Sequence, residues 1–157
     1  MTAGNTPHVS VVIGCHQDGR ELSTTLDSIA DQHDAPDWEC LIVANGPFQA
    51  GEALKQRLVS DPRFRLLHSF RPGLTEALSI GCSQARGTFI ARLDVGDVMV
   101  PQRLARQVLA LGDDPDVVLC TSAVFVCGPS WEPLWVNRGT EALTGVPIRV
   151  DQLPASE

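Results

Sequence analysis

The sequence predicts an α/β domain in which helices cover both faces of a mostly parallel sheet, a three-layer sandwich. Short apolar runs that suit buried strands alternate along the chain with segments whose apolar residues recur at helical spacing. Such an alternation implies right-handed crossovers between parallel strands. The first run, residues 9–14, is apolar enough for a central strand that is covered on both faces.

The first helix is predicted from a start signal and an apolar face. Asp18 and Glu21 have the spacing of a capping box, with Asp18 as the N-cap. Leu22, Leu26 and Ile29 then recur at helical spacing and predict the inward face.

The remaining elements follow in order, with Asn45-Gly46-Pro47 ending the second strand and Gly87 ending the third helix. The sequence predicts strands at residues 39–44, 64–68, 88–93 and 117–126, and helices at residues 49–60, from Pro72 onward, and at 101–111 with Gly112 as its stop. The predicted inward faces are Ala53, Leu54 and Leu58 in the second helix, Leu74, Leu78 and Cys82 in the third, and Leu104, Val108 and Leu111 in the fourth.

An acidic turn follows the fourth predicted strand, which begins after Gly87 and is expected to be buried. Asp94 and Asp97 lie on this turn, at the carboxyl end of the strand, where open α/β sheets bind their ligands. Two close carboxylates repel each other, so a cation or partial protonation would stabilise them, and Mg²⁺ and Mn²⁺ suit carboxylate and phosphate oxygens. Alternatively, both residues merely form the turn and cap the next helix.

The region around this turn carries an extended motif. Its residues are Gly73-Leu74, Ala77-Leu78, Gly81, Ala85, Gly87, Ile90-Ala91-Arg92, Asp94, Asp97, Pro101 and Arg103-Leu104. In this pattern the chain resembles, over residues 8–126, the donor-binding half of inverting family 2 glycosyltransferases, which have the GT-A fold, a Rossmann-like fold that binds nucleotide-diphospho-sugars. It departs at Ser79, where asparagine is usual, and at Gly96, where the family usually has the aspartate nearest the metal.

The resemblance implies a site for a nucleotide-diphosphate sugar, most often a UDP-sugar, and a divalent cation, Mn²⁺ or Mg²⁺. The implied nucleotide-binding residues are Gly14, His16, Asn45, Arg71 and Asp94, and the implied metal ligands are Asp94 and Asp97. Asn45 could hydrogen-bond a base edge or could simply form an Asn-Gly turn. His16 could instead be an ordinary loop residue, and Arg71 could be a solvated surface residue rather than a diphosphate ligand.

The predicted domain organisation is a donor-binding domain at residues 8–126, followed at 127–157 by an extra strand or loop and a poorly defined tail. In the family, the catalytic base lies in a downstream acceptor region, so this chain is expected to be truncated. Glu132, Glu141 and Asp151 are downstream but match no motif, and no catalytic base is predicted. The predicted function is transfer of a sugar to an unidentified acceptor hydroxyl, by inversion; the alternative is a pseudoenzyme that binds nucleotide-sugar without catalysis or self-associates, as a homo-oligomer or with a partner chain.

Composition excludes other classes of protein. The net charge of −7 argues against a nucleic-acid partner. No apolar run is long enough to span a bilayer, and residues 1–8 do not resemble a signal peptide. The five cysteines include no CxxC pair, which predicts free thiols in a reducing cytoplasm rather than a zinc site.

Overall fold

The structure, a computed structural model, describes residues 6–112, 116–137 and 148–149. The elements are β1 (Val9–Cys15), α1 (Arg20–Ala30), β2 (Trp38–Asn45), α2 (Glu52–Ser60), β3 (Phe64–Ser69), α3 (Leu74–Gln84), β4 (Phe89–Arg92), α4 (Arg103–Leu111), β5 (Val117–Leu119), β6 (Val124–Cys127), β7 (Pro133–Asn137) and β8 (Ile148–Arg149).

The first four strands form a parallel sheet in the order β3-β2-β1-β4. The chain moves outward from β1 to β3 and then returns to place β4 on the other side of β1. Right-handed crossovers therefore place α3 on the face opposite α1 and α2. The ends of β1 and β4 form the topological switch point, where ligands of open α/β sheets bind. The predicted three-layer α/β fold is confirmed.

The core lies around the two central strands. Consecutive residues of β1 and β2 are buried, and because neighbouring residues of a strand point to opposite faces, both faces of the sheet are covered. Leu22, Leu26 and Ile29 of α1 are buried as predicted.

The inward face of α3 differs from the prediction. Ala77 and Gly81 are its buried residues, whereas Cys82 is exposed and Leu74 is 44% exposed. A Cβ at Gly81 would lie 2.3 Å from Cγ1 of Val12 on β1. The helix therefore approaches the sheet so closely that only small residues fit at these two positions, and a prediction based on large apolar residues misses them.

The capping prediction for α1 is also wrong. Its N-cap is Gly19, and no side chain caps it. Instead, the Asp18 carboxylate accepts a hydrogen bond of 2.7 Å from the backbone N–H of Gly51, the residue that precedes α2. Asp18 thus satisfies a donor at the start of a different helix, a long-range contact that a local motif cannot reveal. In α2, Leu54 is buried but Ala53 is exposed.

Two strand predictions need correction. Strand β4 is a partly exposed edge of the described sheet, with Ile90 49% exposed, so it is not the buried strand that was expected. The single strand predicted at residues 117–126 is two strands, because β5 pairs with β8 whereas β6 pairs with β7, both antiparallel.

The chain divides into two compact units, Met1–Ala105 and Arg106–Glu157. The first contains the parallel sheet, and the second contains the two antiparallel strand pairs. The predicted boundary after residue 126 stays a prediction, and most of the predicted tail lies outside the described residues. Among the described helices, none combines the length and hydropathy that crossing a membrane requires. The predicted cytoplasmic location stays a prediction.

A buried carboxylate on β2 forms hydrogen bonds that link the amino-terminal halves of the strands. Glu39 of β2 is 1% exposed and pairs in register with Ser10 of β1, whose hydroxyl donates to it at 2.9 Å. The guanidinium of Arg65 donates to it at 2.9 Å, and Arg86 donates through its backbone N–H, Nε and Nη2 at 2.7 to 3.0 Å. Burial opposes ionisation, but these hydrogen bonds outweigh burial and lower the pKa of Glu39 from 4.5 to about 2.

Candidate nucleotide-binding site

The carboxyl ends of the four parallel strands bring the predicted site residues to one edge of the sheet. His16 follows β1, Asn45 ends β2, and Asp94 follows β4 by two residues. Arg71 follows β3 in the same way. The structure therefore gathers residues that are distant in sequence on the edge where α/β proteins bind ligands.

Asn45 fixes the loop between β3 and α3. Its Oδ1 accepts a hydrogen bond of 2.7 Å from the backbone N–H of Gly73, which has a φ of 141°. The contact holds the start of α3 against the end of β2. Because Oδ1 is used in this way, the Nδ2 amide is the group through which Asn45 could contact a base edge.

A cleft opens beside this loop. Its volume is about 510 Å³, and it is lined by Gly46, Pro47, His68, Ser69, Phe70 and Pro72. Phe70 is 98% exposed, which is unusual for a large aromatic side chain. The cleft lies at the ends of β2 and β3, not at the acidic turn after β4. Phe70 was missed by sequence reasoning, although an aromatic residue directly after a strand is a signal that could have identified it.

Two hydrogen bonds with a buried threonine side chain hold the acidic turn in place. Gly96 has a φ of 96°, and the backbone N–H of Asp97 donates to the carbonyl of Asp94 at 3.1 Å. Thr25 of α1 is fully buried; its hydroxyl accepts a bond of 3.0 Å from the N–H of Gly96 and donates one of 2.9 Å to the carbonyl of Asp97. Glycine suits this position because side chains disfavour the left-handed conformation.

Two further residues on the same face of α1 form hydrogen bonds with the backbone that follows the acidic turn. Ser28 accepts from the N–H of Met99 at 3.0 Å. Gln32 donates to the carbonyl of Val100 at 2.8 Å and accepts from the N–H of Leu104 at 3.0 Å. With Thr25, these residues recur three and four positions apart, so they share one helical face. Sequence reasoning missed this role because side-chain bonds to a distant backbone leave no local pattern.

Replacing Thr25 with valine should loosen the acidic turn while it preserves the shape of the core. The change removes both hydrogen bonds and leaves the N–H of Gly96 without its partner, which should cost about 1–3 kcal/mol of unfolding free energy. Urea unfolding measures this cost, and the matched control Thr25→Ser, which keeps the hydroxyl, should lose less. Equal losses in the two variants would show that the methyl packing, not the hydroxyl, supports the turn.

The carboxylate of Asp94 is paired with Arg92. Nε of Arg92 donates to Oδ1 at 3.1 Å, and Nη2 donates to Oδ2 at 2.9 Å. Both side chains are about half exposed, at 56% and 48%. Arg92 is the last residue of β4, so the pair links the end of this strand to the turn that follows it. Asp97 is exposed.

The donor set of this turn suits a divalent cation that is shared with a ligand. Asp94 and Asp97 offer oxygen ligands, which Mg²⁺ and Mn²⁺ prefer, while Gly96 offers none. Within residues 6–112, 116–137 and 148–149, no group of three His, Cys, Asp or Glu side chains could hold a metal. The turn can thus supply only part of a coordination shell, which fits a cation that takes its remaining ligands from phosphate and water.

The other predicted site residues lie at the same edge without a demonstrated role. A Cβ at Gly14 would lie 2.6 Å from Cδ1 of Leu74, so this glycine permits close packing of α3. His16 and Arg71 are exposed. The backbone carbonyl of Arg71 accepts a bond of 2.6 Å from the Ser69 hydroxyl, which fixes the loop but not the guanidinium. Their contacts with a nucleotide stay predictions.

Of the three downstream acidic residues, Glu132 alone lies in the described part of the chain. The carboxylate of Glu132 accepts a hydrogen bond of 2.9 Å from the backbone N–H of Ser130, a local turn contact. Glu141 and Asp151 lie outside the described residues. No cysteine in the described part of the chain forms a disulfide, and burial raises the pKa of the Cys15 thiol, which opposes a role as a nucleophile.

The parallel α/β fold and the site at the carboxyl ends of its strands are those of a ligand-binding α/β protein. The comparison with protein families identifies the family within that class. The family model for glycosyl transferase family 2 matches residues 10–149. The chain belongs to this family. It is 31% identical over 101 residues to the O-antigen biosynthesis glycosyltransferase WbnJ of Escherichia coli, a match that covers 63% of this chain and 39% of that protein.

Solved structures confirm the GT-A fold. A crystal structure of S. aureus TarS 1-349 in complex with UDP aligns with a TM-score of 0.60 at 18% identity, covering 73% of this chain and 35% of that chain. The mannosyltransferase PcManGT of Pyrobaculum calidifontis, in complex with GDP-Man and Mn²⁺, aligns with a TM-score of 0.61 at 23% identity, covering 81% of this chain and 37% of that chain. The chain spans 34 to 42% of the length of the first curated relatives that it matches.

Proposed function

We propose that this chain is the donor-binding part of a glycosyltransferase and that it binds a nucleoside diphosphate sugar along the carboxyl edge of its sheet. The proposal is supported by the position of two features on one edge of the sheet. An open cleft with an exposed aromatic ring lies at the ends of β2 and β3 and provides an apolar surface for a base. An acidic turn that is fixed by hydrogen bonds follows β4 and provides carboxylates for a cation bound to a diphosphate.

The nucleobase lies in the cleft, against the ring of Phe70. Pro47 and Pro72 add apolar surface, and the nearby Asn45 keeps its Nδ2 group as a donor for a base carbonyl. Stacking on an aromatic ring is favourable for every base, so UDP and GDP both remain candidates, with UDP preferred on the family resemblance.

The diphosphate extends from the cleft across the end of β1 to the acidic turn. Strands β2 and β4 flank β1, so they lie about 10 Å apart across the sheet, and β2 continues four residues beyond the position level with Arg92. Arg71 stands at the start of α3 and offers a bidentate donor for phosphate oxygens. Asp94 and Asp97 would hold Mg²⁺ or Mn²⁺ against the same group.

The residues of this chain bind and orient the donor, and a group outside the described residues takes the proton of the acceptor hydroxyl. When bound, the cation offsets charge that develops on the leaving diphosphate. Asn45 and Thr25 keep the base-binding loop and the acidic turn in fixed positions, so the bound sugar is presented in one orientation. A single displacement with inversion is what the family resemblance implies for the sugar carbon.

A non-catalytic nucleotide-sugar-binding module is the second candidate, and Gly96 favours it. The glycine supplies no carboxylate, so the turn holds a cation with at most two side chains. Donor hydrolysis by the chain supports the transferase, whereas saturable nucleotide binding without turnover supports the binding module. Self-association of either form is tested by gel filtration, and a monomer at high concentration would count against it.

Replacing Phe70 with alanine tests where the base binds. Loss of stacking should weaken binding of UDP by about 1–3 kcal/mol, or about fivefold to more than a hundredfold. The control Phe70→Tyr keeps the ring and should bind nearly as well as the wild-type chain. Unchanged affinity of the alanine variant, with its fold intact by circular dichroism, would place the base elsewhere.

A further inference from the structure

The strongest unexplained feature at the site is the pairing of Arg92 with the same carboxylate that is proposed to face a cation. Both oxygens of Asp94 accept a hydrogen bond from this guanidinium, at 3.1 and 2.9 Å. The backbone at this end of β4 is itself held, because Nη2 of Arg103 donates to the carbonyl of Arg92 at 3.2 Å. The strand end that carries the pair is therefore held by α4, while both side chains of the pair are about half exposed.

A bidentate arginine has two opposite effects on such a carboxylate. It fixes the position and plane of the carboxylate, which favours any ligand that needs that geometry. It also brings a positive charge next to the place where a divalent cation would bind, which repels the cation. Since Gly96 offers no side chain and Asp97 is the other carboxylate of the turn, the charge balance at Asp94 decides whether the turn can hold a cation by itself.

We propose that Arg92 is a positioning residue that serves as the internal counter-ion of Asp94, so that the turn binds a divalent cation well only when a diphosphate also brings negative charge. This inference rests on the proposed function. In the free chain, the guanidinium neutralises Asp94 and keeps its carboxylate oriented. When the donor arrives, its phosphate oxygens provide an alternative partner for the guanidinium, and Asp94 becomes available to the cation.

The experiment compares binding of Mn²⁺ alone with binding of Mn²⁺ in the presence of UDP, measured by electron paramagnetic resonance of the free ion. Without nucleotide, Arg92→Gln should bind Mn²⁺ about tenfold more tightly than the wild-type chain, because a repelling charge is removed. Arg92→Lys keeps the charge and should bind as weakly as the wild type. Adding Asp94→Asn to Arg92→Gln should abolish the gain.

Arg63→Gln is the matched control, because Arg63 forms the same kind of bidentate pair with Asp61, also two residues away. That substitution should leave Mn²⁺ binding unchanged. The proposal is overturned if Arg92→Gln binds Mn²⁺ alone no better than the wild type, or if Arg92→Lys gains as much as Arg92→Gln. Failure of the proposed function is a separate result, in which the wild-type chain binds UDP neither with nor without Mn²⁺.

Discussion

Replacing Glu39 with glutamine should lower the free energy of unfolding by about 3 kcal/mol at pH 7, the largest loss of stability that we expect from a single isosteric change. The carboxylate is almost completely buried and accepts hydrogen bonds from Ser10, Arg65 and Arg86. Glutamine has nearly the same shape, but it loses the charge and presents an NH₂ donor where the guanidinium groups of Arg65 and Arg86 can only donate. Urea unfolding at pH 7 measures the difference.

The same carboxylate predicts the acid sensitivity of the fold. Its pKa is lowered from 4.5 to about 2 in the folded chain. Its contribution to stability is therefore fully present above pH 4.5 and is lost as the pH falls from there towards 2. The wild-type chain should lose stability through this range more steeply than Glu39→Gln. Parallel pH profiles for the two chains would contradict the assignment.

Asp61→Asn is the control for this experiment. Asp61 also pairs with an arginine, Arg63, but these side chains are 22% and 46% exposed, whereas Glu39 is 1% exposed, so loss of the Asp61 charge should cost less than loss of the Glu39 charge. If both variants lose a comparable free energy of unfolding, burial of Glu39 does not increase the stabilisation that its ion pairs provide.

Replacing Asp94 with asparagine should weaken Mn²⁺-dependent binding of UDP by about a hundredfold, close to 3 kcal/mol. Asparagine can still accept a bond from Arg92, so the turn should keep its conformation. What is lost is the charge that attracts the cation. Equilibrium dialysis of labelled UDP with and without Mn²⁺ measures the effect, and the stability of the fold in urea should change little.

Asp61→Asn serves again as the matched carboxylate, since it lies before β3, away from the ends of the strands that carry the site. It should bind UDP as the wild type does. If Asp94→Asn binds normally and Asp61→Asn also does, the acidic turn is only a turn in this chain, and the resemblance describes ancestry rather than a working donor site.

The alternation of apolar runs and helical patterns was enough to predict the parallel sheet, because central strands such as β1 are buried on both faces and are recognisable without knowing their partners. The inward face of α3 could not be predicted in this way. Gly81 is buried because the helix touches Val12, and only the assembled packing reveals such a contact. For the same reason Asp18 suggested a cap on α1, while it actually binds the N–H of Gly51.

The sequence predicts where the candidate site lies but not which residues hold it in place. Asp94 and Asp97 follow a strand and could be placed at its carboxyl end from order alone. Thr25, which holds the turn, and Gln32, which holds the segment after it, lie about 70 residues away and carry no sequence pattern that distinguishes them from other polar helix residues. The position of Phe70 directly after β3 is readable from the sequence, but its exposure is a property of the folded chain.

The most direct test of the central claim is calorimetric titration of the folded chain with UDP, and then with GDP, in the presence and absence of Mn²⁺. The proposed donor site predicts saturable binding of at least one nucleotide that strengthens when Mn²⁺ is present. No heat with either nucleotide, with or without Mn²⁺, from a chain shown to be folded by its cooperative unfolding, would contradict it.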